Sequence, residues 1–146
     1  MAAVPEGGMS KADFEELADF RYQLRRFLRF SEQATRMMGT TSLQYLLMLH
    51  IKGFPAREWA TVGELAERLQ AKHHGVVSLV SRCEAAGWVR RTISSSDKRR
   101  VGVTLMEEGS RRLAQLARLH HAELMSRQAA GFLGLPPERL HSSAES

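Results

Sequence analysis

Apolar residues recur every three or four positions from Ala12 to about Met38, with Phe20, Leu24, Phe27 and Leu28 on one stripe. That spacing predicts a helix over about 12–38, ended by Gly39, after a small and polar, loose segment at 1–11. A helix this long suggests packing on a second chain as well as on its own core. Thr41 followed by Gln44 reads as a capping box, in which hydroxyl and amide each satisfy a free backbone N–H. It predicts a helix over about 42–52 that presents Leu43, Leu46, Leu47 and His50 and stops at Gly53 and Pro55. Thr61 and Glu64 repeat the box and open a two-turn helix with Leu65 and Leu69 inward. A turn at 70–72 leads to a fourth helix, about 73–86, closed by Gly87.

Beyond Gly87 the period drops to two. Val89, Arg91 and Ile93 alternate with polar positions, as do Val101, Val103 and Leu105, and 94–100 joins the two strands as a hairpin. A long helix resumes near Glu107 with Leu113, Leu116, His120 and Leu124 on one stripe, and Leu135-Pro136-Pro137-Glu138 opens another short one. The fold is therefore mainly α with a small β-hairpin. Two short helices followed by a basic hairpin make a winged helix-turn-helix, with its core at about 41–105.

Charge sharpens this reading. The 146 residues carry 21 Lys+Arg and 16 Asp+Glu, a net +5. Seven bases (Lys72, Arg82, Arg90, Arg91, Lys98, Arg99, Arg100) and two acids (Glu84, Asp97) fall within 72–100, so 7 − 2 = +5 accounts for the whole excess. Focused positive charge suits a polyanion, because each neutralised phosphate releases counterions. An ordinary solvated basic face would carry the same residues. The remaining composition excludes more than it assigns. A 43% hydrophobic chain with four prolines is not disordered, and no apolar run reaches the ~18 residues of a membrane span. The N-terminus lacks a secretory pattern, and the one cysteine, Cys83, suits a reducing cytoplasm.

On the fourth helix Val76, Leu79, Val80 and Cys83 share one face, leaving His74, Val77, Ser78 and Ser81 on the other. That second face is expected to be free of carboxylates, and its small serines would allow close approach to base edges in a major groove. His73 and His74 stand at the helix start, where a neutral ring offers one donor and one acceptor. Lys72 and Arg82 are candidates for the DNA backbone. Asp97, Lys98, Arg99 and Arg100 form the wing, where an arginine can enter a minor groove and a single acid can orient it. No metal site is expected, since adjacent histidines (His73–His74, His120–His121) diverge by about 100° on a helix. No phosphate loop, nucleophile elbow or paired carboxylates appear, so the chain is not read as an enzyme. Cys83, on the apolar face, reads as packing, with thiol-based redox sensing as an alternative. A winged-helix module that binds protein is another.

Taken together, Thr61-Val-Gly-Glu-Leu-Ala-Glu-Arg-Leu69, Val80-Ser-Arg-Cys-Glu-Ala-Ala-Gly-Trp-Val89 and Asp97-x-Arg99-x-x-x-Val103 with Leu105 and Gly109 resemble the MarR family of winged-helix transcription regulators. The resemblance runs from about residue 12 to 135 and implies one domain over 12–146. It implies a homodimer built from helices at about 12–38 and 107–146. It also implies two recognition helices in successive major grooves of a pseudo-palindromic double-stranded operator. His73, His74 and Ser78 would then face the major groove, and Arg99, held by Asp97, the minor groove. A ligand-responsive repressor is implied, released by a small aromatic or phenolic effector; no cofactor is. Phe27, Met38 and Met48 could line an effector pocket, but core packing accounts for them equally. This chain departs from the family at Met106, where a hydroxyl cap is usual, and in its short C-terminal helix.

Overall fold

The computed structural model describes residues 2–93 and 100–129. Five helices are present among these: α1 (Lys11–Met37), α2 (Ser42–Lys52), α3 (Val62–Leu69), α4 (His73–Ala85) and α5 (Glu107–Ala129). Three strands accompany them: β1 (Trp59–Thr61), β2 (Val89–Ile93) and β3 (Val101–Leu105). The further helix expected near Leu135 lies outside the described residues, as does the hairpin tip at 94–99.

Both capping boxes form as the sequence dictates. Thr41 Oγ1 accepts from the Gln44 N–H at 3.2 Å while the Gln44 amide oxygen accepts from the Thr41 N–H at 2.9 Å. Thr61 and Glu64 make the same reciprocal pair at 3.2 and 3.0 Å. The expected two-stranded hairpin is a three-stranded antiparallel sheet in the order β1-β3-β2. The added strand β1 pairs Ala60 with Val103, and β2 pairs Arg91 with the same residue from the other side. Central β3 thus has no free edge along this register, which protects it from pairing with another chain.

The chain groups into two compact units, residues 31–121 and the described parts of 1–30 with 122–146. In the first, Leu47, Met48, Ile51, Leu65, Val76, Val80, Val89, Val103 and Leu116 are fully buried in one apolar core. Met48 belongs to that core and Met38 packs against it. Leu69 is half-buried on the same core. His120 is buried and stacked on Tyr45 with ring centroids 4.3 Å apart. Its Nδ1 donates to the Leu116 carbonyl and its Nε2 meets Ser31 Oγ, both at 2.7 Å. In the second unit, Arg127 pairs with Glu123 at 2.8 Å and donates to Gln23. Phe14, Leu17, Phe20 and Leu28 of α1 are exposed there.

Candidate nucleic-acid interface

Helix α4 is positioned by its apolar stripe. Val76, Leu79, Val80 and Cys83 are at most 4% exposed, so the opposite stripe must face outward. The αL residue Gln70 (φ 50°) ends α3 and turns the chain into α4. Lys72 N-caps α4 without a side-chain bond, leaving its ammonium and the first-turn imidazoles of His73 and His74 exposed. Val77, Ser78 and Ser81 are exposed as the spacing requires. The serine hydroxyls donate back to the helix, Ser78 to the His74 carbonyl (3.2 Å) and Ser81 to the Val77 carbonyl (3.1 Å).

One expectation about this face is corrected. Glu84, two turns beyond Val77, flanks the exposed stripe and supplies a carboxylate on its wing side. It is engaged by Arg91 of β2. Glu84 Oε2 accepts from the Arg91 backbone N–H and Oε1 from the guanidinium, each at 2.9 Å. The same guanidinium reaches the Val77 carbonyl (3.0 Å) and Ser81 Oγ (2.8 Å). Ser81 is therefore occupied by a contact within the chain. The Arg91 N–H bond, with further help from the guanidinium charge, outweighs desolvation and holds the Glu84 carboxyl below the usual glutamate range. Sequence spacing carried a usable signal here. Gly87 (φ 80°) reverses the chain after α4, which brings 84 and 91 alongside each other.

Arg82 leaves α4 on the opposite flank. There it lines a cleft of about 560 Å³ with Leu79, residues of α1 (Glu32, Thr35, Arg36) and the start of α2. A second cleft of about 350 Å³ lies between the α3 N-terminus, α4 and the wing base, with His73, Val77, Arg91 and Arg100 on its walls. Arg100 is exposed at that base. Asp97, Lys98 and Arg99 lie outside the described residues. Cys83 is fully buried, and desolvation pushes its thiol up to about 11 despite the nearby Arg82 charge. No cluster of three or more metal-ligating side chains occurs among the described residues.

The α2–β1 connection carries a group the sequence did not single out. The Arg57 guanidinium lies 4.2 Å from the Phe54 ring centroid and 4.0 Å from that of Trp59, and pairs with the capping Glu64. It ties the new strand β1 to the start of α3.

Residues 38–100 match the model of the MarR family. Over that segment, which covers most of the winged-helix core, the chain is similar to the MarR family. Its fold is shared with AbsC, a MarR family transcriptional regulator from Streptomyces coelicolor, at a TM-score of 0.74 and 19% identity over 92% of this chain and 88% of that one. A MarR family protein from Bacillus stearothermophilus aligns at 0.70 and 21% identity, over 82% and 81%. Reduced AbfR bound to DNA aligns at 0.58 and 24% identity, over 74% and 77%. No curated protein sequence matches. Within the matched segment, α3 and α4 form the helix-turn-helix, and β2, with β3 directly after the segment, carries the wing. No described helix is long and apolar enough to cross a membrane.

Proposed function

We propose that the protein is a sequence-specific, double-stranded-DNA-binding transcription regulator of the cytoplasm. It acts as a homodimer and represses through a pseudo-palindromic operator. The observation that carries this reading is α4 itself. Its buried stripe fixes an outward row of His74, Val77 and Ser78, with small side chains and exposed cations (Lys72, Arg82, Arg100) around it. Such a helix can enter a major groove while the cations meet phosphates. Arg99 of the wing is assigned to the minor groove, oriented by Asp97.

Two copies of α4 must engage half-sites one helical turn (about 34 Å) apart, which makes the half-site spacing a geometric expectation. A small aromatic anion that prefers a dimer with different α4 separation would weaken DNA binding by the same coupling with which DNA weakens its own binding. Arg82 and Arg100, each on one of the clefts flanking α4, supply positive charge for such a ligand. Redox sensing through Cys83 is disfavoured by its burial and raised thiol, since the thiolate is the species oxidants attack. Selection of bound fragments from genomic DNA tests the reading. A shared palindrome with half-sites about 10 bp apart supports it, and no enrichment over bulk DNA overturns it.

A further inference from the structure

An acid beside a surface that must approach phosphates is an electrostatic cost unless it is neutralised or serves to exclude something. Glu84 is such an acid, and both its oxygens are taken by Arg91. The guanidinium in turn spends one nitrogen on Glu84 and the other on two α4 acceptors, the Val77 carbonyl and Ser81 Oγ. Arg91 is only 27% exposed at its side chain, against 40% for Glu84. A cation at the junction of recognition helix and wing is thus committed within the chain.

We propose that Glu84 is a specificity-determining residue, which withholds the Arg91 guanidinium from DNA phosphates by latching it across the wing-side flank of α4. The inference rests on the DNA-binding reading above. Phosphate contacts are blind to sequence and raise specific and non-specific affinity together. Removing one cation from that pool lowers binding to arbitrary DNA, while the latch fixes α4 against β2 and so preserves the geometry needed for base readout. Sequestering Arg91 therefore widens the ratio between operator and bulk DNA.

The test measures binding to a 30-bp duplex of mixed sequence, and to a genome-selected fragment, across a NaCl series. Glu84→Ala is expected to bind the mixed duplex about 3- to 10-fold more tightly, with a log–log salt slope steeper by about 0.9, one phosphate contact. Its gain on the selected fragment is expected to be smaller. Arg91→Gln alone should change mixed-duplex affinity less than about 2-fold, yet in the Glu84→Ala background it should abolish the gain. Glu67→Ala, which removes an exposed charge on α3, should also move affinity less than about 2-fold. A Glu84→Ala gain that survives Arg91→Gln, or is matched by Glu67→Ala, overturns the latch in favour of bulk charge; so does the absence of any gain. A DNA-free double-mutant cycle on urea unfolding separates this failure from that of the parent reading. Coupling between Glu84 and Arg91 in a wild-type protein that binds neither duplex would overturn the DNA-binding reading and the specificity role with it. Absent coupling would overturn the latch itself.

Discussion

A Cβ on Gly109 would stand 2.0 Å from the Trp88 carbonyl oxygen, a distance no side chain can accept. The first turn of α5 therefore closes on the end of the α4–β2 turn only with glycine at this position. Gly109→Ala should lower stability by about 2 kcal/mol in urea unfolding, the scale of an overpacked core. A change near zero would mean that α5 docks elsewhere. Cys83 makes the opposite kind of claim: a buried thiol pushed up to about 11 should resist iodoacetamide at pH 8 in the folded protein and react once urea unfolds it. Single-residue roles were legible in the sequence where one face decided them. Val76, Leu79, Val80 and Cys83 are buried as their spacing requires. Glu84, two turns beyond Val77, was legible as part of the exposed face, but its bond to Arg91 depends on a partner delivered by the turn at Gly87.

At the scale of elements, local rules served best. The helix starts at Ser42 and Val62 follow from capping boxes that need only four residues of sequence. Strand β1 was missed because three residues are too few to show a period, and its partner Thr104 lies far along the chain from Trp59. The α3 cap also sets a pH response. Desolvation raises the Glu64 carboxyl, but the Thr61 bonds and Arg57 together outweigh it and leave the group below its usual value. A depressed folded-state value means that Glu64 contributes stability above the unfolded glutamate value of about 4.3. That contribution fades as pH falls through the folded value. Glu64→Gln should therefore flatten the loss of stability measured from about pH 5 downward. Thr61→Ala should cost about 1 kcal/mol at neutral pH by removing the reciprocal cap.

For the whole molecule, the exposed Phe14, Leu17, Phe20 and Leu28 of α1 are what a homodimer would cover. Leu17→Glu should shift the species seen by light scattering from dimer toward monomer and weaken DNA binding with it; a variant that stays dimeric would put the interface elsewhere. The flanking helices were legible as long periodic runs, whereas what they pack on in an assembly is non-local and no spacing rule reaches it. The outward stripe of the winged-helix core has direct physical support: burial of one α4 stripe forces the other outward. Whether that outward stripe reads bases is tested most directly by scanning every base pair of a genome-selected fragment with the wild type and Ser78→Ala. The account predicts that the variant loses discrimination at the same position in both half-sites, while binding mixed-sequence DNA as before. Uniform weakening on every sequence, or an unchanged profile, would contradict it.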